Sequence, residues 1–530
     1  MIVGRTLMPT SCAAAPSCFA AAGIPGCRQS RLSLRERTPF RGAKDDAGFP
    51  STHAEPKHSL SAEIFSACRS IAAVALLVLS LLSGSASFGL AETYRVGPEA
   101  KLSSLSQVPW NRLLPGDLVE IQWRPEPYRS KISLSQRGTA EKPIVIRGIP
   151  GPAGELPVLD GKDAVTPPGL DFPSEVRGVV VIGPPSDNYF VMPGWITIEN
   201  LDICHARKGN FFLGRKGLAE YTEPASAIYV EKGENLVFRN CRMHDCGNGF
   251  FTNQETKSIL VEGCSISSNG NKGSIYEHNS YTETDGITFQ TCQFGPLIPG
   301  AGGNNVKDRS AGFVIRYCVI DGGNKQLDIV DAQEGAYLRD RPNYDVAYVY
   351  GNVFIEHEGK DNNQIVHFGG DSGPPNQNRK GPLWFCHNTV VSLRTSRTCL
   401  FRLTTNQQQA EVINNIFYTS AGGGLLSIVD ESGDVKLKNC WLKSGWRRCH
   451  GDFDGRIIET DCLTGNDPGF VDIPGRDFRL TATSPVLGKA APLQLPEPHR
   501  IRFEPFGPKL TPQRRPDDPP VDVGAFGFRR

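Results

Sequence analysis

Titratable side chains recur at one position in a series of short apolar segments between residues 249 and 430. The segments read GFFTNQ, SIYEHNS, NNVKDRS, KQLDIVD, NQIVHFG, CLFRLTT and GLLSIVD. If the apolar residues point inward, an outward column contains Thr252, Glu277, Lys307, Asp328, His367 and Arg402. A second outward column would add Asn279 and Arg309, while His278 and Asp308 are expected to point inward or to mark local irregularities. Acids, bases and cations on one surface are the groups that general acid–base catalysis requires.

These residue types suit two reactions on a sugar chain. Cleavage of a uronate chain by β-elimination needs a cation for the carboxylate, a base for the α-proton and an acid for the leaving oxygen. Lys307 or Arg309 is predicted to be the base or the carboxylate neutraliser, and His367 the proton shuttle. Glycoside hydrolysis needs two carboxyl groups roughly 5–5.5 or 6.5–9.5 Å apart. Glu277 and Asp328, two strand spacings apart in the column, are expected near ~10 Å at the backbone.

Long insertions leave the ends of the same segments and are predicted to wall a groove around the column. They occupy residues 280–285, 332–344 and 370–382 on one edge, and 295–304 and 357–363 on the other. Aromatic faces in these loops suit sugar rings, and guanidinium groups suit carboxylates or sulfates. The predicted substrate contacts are Glu277, Asp331, Tyr337, Arg339 and Arg402, with Asp328 as an orienting carboxylate. The alternative interpretation is a solvated face of alternating charge.

No resident metal or cofactor is predicted with certainty from these residues. Asp328, Asp331 and Glu334 carry the hard oxygen ligands that Ca²⁺ prefers, so a calcium site is one interpretation of this segment. Three acids within seven residues are more often a solvated turn.

A repeat along the chain predicts how these side chains are positioned. Apolar alternation, a polar pair and a Cys or Asn recur at Cys241, Cys264, Cys292, Cys318, Asn352, Asn388, Asn415 and Cys440, with Leu201 in an earlier copy. A unit of about 25 residues cannot bury its own apolar face, so neighbouring units must stack into a parallel β-solenoid. Stacked Asn side chains can hydrogen-bond along the stack, and Cys acts there as a small hydrophobe. Cys449 and Cys462 lie outside this pattern and are the predicted disulfide.

The repeat resembles the right-handed parallel β-helix of the pectin-lyase-like superfamily over about residues 92–530. The resemblance implies an all-β fold. The segment 102–113 (LSSLSQVPWNRL) has the pattern of an amphipathic helix that caps the open N-terminal end. The segments NDPGFVDIPGRDFRLTATSPVLGKA and DVGAFGF resemble the closing region of secreted β-helix proteins.

The segment NNVKDRSAGFVIRYC resembles the polysaccharide lyase family of chondroitinase B and alginate lyases. In that family an Asn-Lys-Ser tripeptide precedes a similar strand, and an Arg-His pair follows one coil later. Here Asp308-Arg309-Ser310 stands at the tripeptide, and Val330-Asp331 stands where Arg-His is expected. The resemblance implies an acidic polysaccharide as the partner and β-elimination as the reaction.

Composition and the N-terminal residues set further limits. The 530 residues carry 57 Lys and Arg against 56 Asp and Glu, which argues against a nucleic-acid partner. The 56 Gly and 40 Pro residues favour short strands and turns over a helical bundle. Residues 1–70 are predicted to be disordered or a mis-called N-terminal extension. Residues 71–91, which include IAAVALLVLSLL, are predicted to be a signal peptide.

The sequence therefore predicts an exported β-helix domain over residues 92–530 that acts on an acidic polysaccharide, most simply as a lyase. A glycoside hydrolase and a non-catalytic glycan-binding or surface-structural solenoid are the alternatives. The protein is expected to be secreted or periplasmic and monomeric, with no stable membrane insertion after signal cleavage. An uncleaved segment that anchors it to a membrane is the alternative location.

Overall fold

The computed structural model describes residues 90–359, 362–496, 498–504, 513–515 and 521–528. The predicted N-terminal extension and residues 71–89 of the predicted signal peptide lie outside these ranges. Within them, no helix is both long enough and apolar enough to span a membrane.

The described chain winds through three parallel β-sheets, and a complete coil contributes one strand to each sheet. A representative coil contains Asp285–Gln290, Gln293–Phe294 and Val306–Asp308, and the next coil begins with Ala311–Arg316. Each strand pairs in parallel with the equivalent strand one coil later. We name the three sheets I, II and III in the order in which a coil visits them.

Sheet I contains Thr93–Val96, Leu118–Gln122, Ile144–Ile149, Gly194–Glu199, the second halves of Ser226–Arg239 and Asn248–Glu262, Asp285–Gln290, Ala311–Arg316, Ala347–Tyr350, Leu383–Cys386, Gln409–Ile413, Asp434–Lys438 and Arg456–Thr460. Sheet II contains Val158–Asp160, Asp202–Cys204, Arg242–His244, Ser265–Ser267, Gln293–Phe294, Val319–Asp321, Val353–Glu356, Thr389–Ser392, Ile416–Thr419, Trp441–Lys443 and Leu463–Gly465. Sheet III contains Ile132–Leu134, Gly178–Ile182, the first halves of Ser226–Arg239 and Asn248–Glu262, Ser280–Thr282, Val306–Asp308, Leu327–Ile329, Gln364–Phe368, Thr398–Leu403 and Leu426–Val429.

Several short strands and 3-10 helices lie outside the three sheets. The remaining strands are Ala164–Val165 with Phe211–Gly214 and Gly217–Glu220, Phe470–Asp472 with Asp477–Leu480, and Phe503–Glu504 with Gln513–Arg514. The 3-10 helices of the described ranges are Leu105–Gln107, Trp110–Arg112, Glu175–Arg177, Ala336–Asp340, Pro375–Gln377 and Gly423–Leu425.

The predicted N-terminal cap consists of two 3-10 turns, Leu105–Gln107 and Trp110–Arg112, instead of one amphipathic helix. Pro109 explains the interruption, because proline forces the residue before it out of the helical region, and Val108 is extended at φ −74° and ψ 132°. Leu105 and Trp110 are still buried against the main core, so the segment covers apolar surface as predicted.

The predicted stack of Cys and Asn residues is confirmed at the corner between sheets I and II. All nine positions from Leu201 to Cys440 are fully buried. The Asn residues bond along the stack: Asn352 N donates to Asn388 Oδ1 at 2.9 Å, and Asn388 N donates to Asn415 Oδ1 at 2.8 Å. We call this stack the corner ladder.

The corner itself is two residues long in ten successive coils. The first corner residue has positive φ in every case, and these residues are Asn200, Asn240, Gly263, Thr291, Tyr317, Gly351, His387, Asn414, Asn439 and Asp461. The second corner residue is the ladder residue, whose side chain turns inward.

The tenth corner shows that the predicted disulfide is wrong. Cys462 follows Asp461 and continues the corner ladder beyond Cys440. Cys449 is also a free thiol, and its Sγ lies near the carbonyls of Asp430 and Asp452.

A second polar stack lies inside the corner between sheets II and III. Asn279, predicted to point outward, is fully buried there. Its Oδ1 accepts a hydrogen bond from Asn269 Nδ2 at 3.0 Å, and its Nδ2 donates to Asn305 Oδ1. The prediction failed because polar residues were assigned to the surface, whereas these amides satisfy one another in the interior.

Candidate functional site

The charged column lies on the outer face of sheet III, and the strand register confirms four of its members. Lys307 pairs with Asp328, Asp328 with His367, and His367 with Arg402. Side chains at paired positions of parallel strands stand about 4.8 Å apart on one face. We call these four residues the sheet III column.

The other two predicted members were wrong. Tyr281 and Phe251 occupy the positions next to Lys307, and their rings stack at 4.8 Å between centroids with an interplanar angle of 9°. Thr252 faces inward and is fully buried. Glu277 lies in the loop before its strand and is 4 % exposed, so it belongs to neither the column nor the open surface.

Asp328 is the central acid of the sheet III column. Its Oδ2 accepts hydrogen bonds from Lys307 Nζ at 2.6 Å and Asn304 Nδ2 at 2.8 Å. Its Oδ1 lies 2.7 Å from His367 Nδ1. Burial alone would raise the pKa of Asp328, but the hydrogen bond from His367 and the charge of Lys307 hold it well below its ordinary value. Asp328 is therefore an anion at neutral pH.

His367 is buried behind this acid. It is 3 % exposed, and its Nε2 lies 3.1 Å from Thr404 Oγ1. With both ring nitrogens bonded to protein groups, His367 contacts Asp328 and Thr404 rather than open solvent. This placement makes it a residue that orients Asp328.

Arg309 joins the sheet III column through a loop residue that the sequence did not single out. Asp371 binds Lys307 Nζ through Oδ2 and Arg309 Nη2 through Oδ1, the latter at 2.8 Å. Arg309 Nε also donates to Tyr281 Oη at 3.0 Å. Lys307 and Arg309 therefore both form ion pairs with the carboxylate of Asp371. The Asp371 side chain is 29 % exposed, so this group lies at the surface.

Asp331, a predicted substrate contact, instead holds the loop that carries Asp371. Its carboxylate accepts hydrogen bonds from the backbone N–H groups of Asp371 at 2.7 Å, Ser372 at 3.2 Å and Gly373 at 2.7 Å. These donors lower the pKa of Asp331 although burial opposes them. Protein donors therefore occupy both of its oxygens.

Asp308 and Arg379 form a fully buried ion pair beneath the loop, with Arg379 Nη2 3.2 Å from Asp308 Oδ2. Arg379 also donates to the carbonyls of Val330 and Tyr344. The inward direction predicted for Asp308 is confirmed, and the pair fixes the base of the loop.

His278 lies beside the sheet III column, with its ring 5.8 Å from that of Tyr281. Its Nδ1 accepts a hydrogen bond from Asn304 N at 2.8 Å, so the neutral ring carries its proton on Nε2. Burial, followed by the charge of Lys307, lowers the pKa of His278 to about 3. At neutral pH this imidazole can donate a hydrogen bond but cannot take up a proton.

Two cations beside the sheet III column have no counter-ion within the described ranges. Arg402 is exposed, and neither an ion pair nor a hydrogen bond engages its side chain there. Lys325, at the corner before Leu327–Ile329, is also without a partner for its amine among the described residues. Burial, and then the charges of Lys307 and Arg402, lower the pKa of Lys325 while Asp328 opposes them.

The predicted loop residues Tyr337 and Arg339 lie in the 3-10 helix Ala336–Asp340. Tyr337 is 41 % exposed, and its hydroxyl donates to Gln254 O at 2.6 Å. The Arg339 guanidinium donates twice to Ala332 O. Tyr337 can meet a ligand with its ring, whereas Arg339 braces its own loop.

The three acids predicted as calcium ligands do not converge. Asp328 binds Lys307 and His367, and Asp331 holds the loop after Gly370. Among the described His, Cys, Asp and Glu residues, the groups that could share an ion do not include Asp328, Asp331 and Glu334.

A cavity of about 860 Å³ adjoins the C-terminal end of the sheet III column. Thr404, which bonds His367, lines it together with Arg397 and the acids Asp430, Asp452 and Asp454. A chain-like ligand lying along the column would therefore continue into a polar cavity.

Sequence reasoning missed Asp371, Thr404, Asn304 and Lys325. Thr404 lies in the segment CLFRLTT, but after its apolar alternation ends. Lys325 opens the segment KQLDIVD, where its place before the first apolar residue marks a corner. No local pattern indicates that Asp371, 64 residues after Lys307, reaches the same ammonium.

The comparisons with known proteins agree on the architecture. The model of the right-handed β-helix region matches residues 192–374. Together with the three stacked sheets, this match shows that the chain folds as a right-handed parallel β-helix. The search of curated proteins found no match.

Several solved structures are similar to the chain. An alginate lyase from Paenibacillus sp. strain FPU-7 is 12 % identical, with 67 % of this chain and 94 % of that chain covered and a TM-score of 0.38. A GH136 lacto-N-biosidase from Eubacterium ramulus is 12 % identical, with 71 % and 68 % covered and a TM-score of 0.42. Pectate lyase Pel9A is 12 % identical, with 83 % and 98 % covered and a TM-score of 0.38.

Proposed function

We propose that this β-helix protein cleaves an acidic, uronate-containing polysaccharide by β-elimination on the outer face of sheet III. The observation that carries the proposal is the pair of cations without counter-ions, Arg402 and Lys325, beside an ordered acid network. Unpaired cations at a surface suit a polyanion, whereas the cations of a purely structural network would be paired.

In this proposal Arg402 binds and neutralises the uronate carboxylate, which acidifies the α-proton. Lys325 takes that proton, because its lowered pKa makes the free amine available closer to neutral pH. The ammonium formed on Lys325 is then the donor for the leaving oxygen. Asp328 and His367 orient the site, and the neutral His278 donates a hydrogen bond from Nε2.

This assignment redistributes the predicted roles. Lys307 and Arg309 are both bound by Asp371, so their positive charges already have a carboxylate partner. They serve to hold the loop and to shape the surface against which the sugar lies. Tyr281, hydrogen-bonded to Arg309, offers the adjacent aromatic ring.

One observation favours glycoside hydrolysis as the second candidate. Asp328 Oδ2 and Asp371 Oδ2 lie 2.6 Å and 2.5 Å from the same Lys307 Nζ, so these two oxygens are no farther apart than the roughly 5–5.5 Å between the carboxyl groups of a retaining hydrolase. The order of preference rests on burial, because Asp328 is only 3 % exposed and is bound by three donors.

The experiment is incubation of the purified protein with alginate, pectate and glycosaminoglycans. Lyase activity produces an unsaturated product that absorbs in the ultraviolet, whereas hydrolysis yields reducing ends without that absorbance. Lys325→Arg keeps the charge but removes the base, so we expect a loss of about 10²–10⁴-fold in turnover. Lys438→Arg, an exposed lysine of sheet I, is the matched control and should leave turnover unchanged.

Binding without either product, unaffected by Lys325→Arg and Arg402→Gln, would show a glycan-binding solenoid in place of an enzyme. Export is part of the same proposal, because an extracellular polysaccharide requires a secreted or periplasmic protein. Mass spectrometry of the mature N-terminus would test it.

A further inference from the structure

We propose that Asp160, Cys204 and His205 bind a divalent transition-metal ion, Zn²⁺ by the chemistry of the donors, on the outer face of sheet II. This site is separate from the sheet III column and does not depend on the proposed function. Carboxylate oxygen, thiolate sulfur and imidazole nitrogen are the ligands from which protein zinc sites are built.

The fold brings the three donors together from two adjacent coils. Asp160 ends the strand Val158–Asp160, and Cys204 ends the neighbouring strand Asp202–Cys204 directly opposite it. His205 follows with φ of 65°, and this left-handed backbone turns the chain at the edge of the strand.

The distances among the donor atoms are close to those of a tetrahedral site. His205 Nδ1 lies 2.8 Å from Asp160 Oδ1 and 3.3 Å from Cys204 Sγ, and all three atoms lie within 4.8 Å of one another. Zinc bonds of about 2.0–2.3 Å at tetrahedral angles place neighbouring ligand atoms roughly 3.3–3.6 Å apart. Small side-chain shifts would therefore accommodate an ion.

Burial leaves one side of the site open. Cys204 and Asp160 are 3 % and 6 % exposed, whereas the His205 side chain is 40 % exposed. A water molecule can complete the coordination from the solvent side, as in zinc sites with three protein ligands. Asp160 Oδ1 also accepts from Lys162 N at 2.9 Å, a contact that fixes the orientation of the carboxylate.

A second group of donors, Asp202, Cys204 and His244, shares the thiol but is less suited to a metal. Both nitrogens of His244 are bonded to carboxylates, to Asp202 at 2.6 Å and to Asp245 at 2.7 Å. The hydrogen bonds to these two carboxylates therefore leave no nitrogen of His244 free for an ion. Arg242 lies 3.1 Å from Asp202, closer than Arg129 lies to Asp160 at 3.6 Å, so the carboxylate of Asp160 is held less tightly by a cation.

Binding of the ion at this site should release the thiol proton of Cys204. A cysteine thiol ordinarily titrates near pH ~8.5, so Cys204 carries its proton at neutral pH before an ion binds. When the ion binds, a metal–sulfur bond forms, the S–H bond breaks and the thiol proton passes to the buffer. One proton should therefore be released for each ion bound at neutral pH.

The test uses Co²⁺ as a spectroscopic probe for the reduced, full-length protein. We expect one Co²⁺ per chain, a near-ultraviolet charge-transfer band that requires a thiolate ligand, release of about one proton and displacement by Zn²⁺. Cys204→Ser should abolish the band. His205→Asn should weaken binding at least about tenfold and keep the backbone, because Asn tolerates positive φ.

Two further variants serve as controls. Cys449→Ser removes another thiol that is partly accessible, and we expect it to leave the band unchanged. His244→Asn should also leave binding unchanged if the first group of donors is correct. The proposal is overturned if the wild type shows no thiolate band at Co²⁺ saturation, if Cys204→Ser retains it, or if His244→Asn abolishes it while His205→Asn does not.

Discussion

The corner ladder makes a quantitative prediction about stability at Asn388. This side chain is fully buried in the middle of the Asn stretch. Its Oδ1 accepts from Asn352 N at 2.9 Å and Asn352 Nδ2 at 3.0 Å. Its Nδ2 donates to Val349 O at 2.9 Å and Asn415 Oδ1 at 3.2 Å. Asn388→Ala removes all four hydrogen bonds and leaves the buried Asn352 N–H without that acceptor.

The expected loss follows from these contacts. A buried donor or acceptor left without a partner costs about 1–3 kcal/mol, so we expect Asn388→Ala to lower the free energy of unfolding by about 3 kcal/mol. Asn388→Cys should cost about 1 kcal/mol, because a ladder sulfur still accepts a backbone N–H weakly. The chain itself shows this contact, since Cys292 N donates to Cys318 Sγ at 3.3 Å and Asn415 N to Cys440 Sγ at 3.4 Å.

Equilibrium urea unfolding followed by circular dichroism would measure both variants under reducing conditions. The expected difference of about 2 kcal/mol corresponds to roughly thirtyfold in the unfolding equilibrium constant. We expect this difference because each ladder side chain stabilises the stack by accepting a hydrogen bond from the backbone N–H of the ladder residue one coil earlier. Equal losses of stability for the two variants, or a larger loss for Asn388→Cys, would refute this role.

Three further predictions concern titration and thiol chemistry. The turnover of the proposed lyase should rise with pH through the lowered pKa of Lys325, because only the unprotonated amine acts as a base; an initial-rate profile that is flat below pH 10 would contradict this role. Burial raises the pKa of Glu356 to about 7, so the folded state holds this proton more tightly than the unfolded state. Stability should therefore decrease between about pH 4.5 and 7 by about 3 kcal/mol from this group, and urea unfolding of Glu356→Gln should show a shallower decrease than the wild type. Cys449 and Cys462 should both react with iodoacetamide in the denatured, unreduced protein, and peptide mass spectrometry that finds them linked would contradict the free thiols of the structure.

The coil pattern was readable from the sequence because its signal is local. A polar pair followed by a Cys or Asn marks the corner within a few positions, and the flanking apolar alternation marks the strands. Cys462 was missed because its strand, Arg456–Thr460, has an exposed and irregular pattern near the end of the stack. The corner at Cys462 is two residues long, like the others. The strand before it lies at the exposed end of the stack, so it lacks the apolar alternation that marks the other corners.

The sheet III column was predictable only where strands are short and begin after a corner. Lys307, Asp328, His367 and Arg402 follow such corners, so alignment of their apolar neighbours gives the register. The strand Asn248–Glu262 runs through two sheets without interruption, and counting along it placed Thr252 on the wrong face.

The loop contacts were beyond pattern analysis for a different reason. Asp371 reaches Lys307 because Asp331 binds three successive backbone N–H groups of its loop. Such an arrangement depends on the three-dimensional path of an insertion, which alternation and spacing do not encode. The isolated charge of Lys325 likewise becomes apparent only when the positions of all neighbouring acids are known.

The two-residue corner between sheets I and II has a consequence for how such a protein can diversify. Its left-handed residue and inward ladder side chain leave no room for extra length, so this edge fixes the phase of every coil from Gly194 onward. The other two edges carry no such limit: segments 309–310 and 369–382 are equivalent between sheets III and I, and segments 322–326 and 295–305 are equivalent between sheets II and III. Ligand specificity can therefore change through gain or loss of loops at two edges, while the third preserves the alignment of the whole stack.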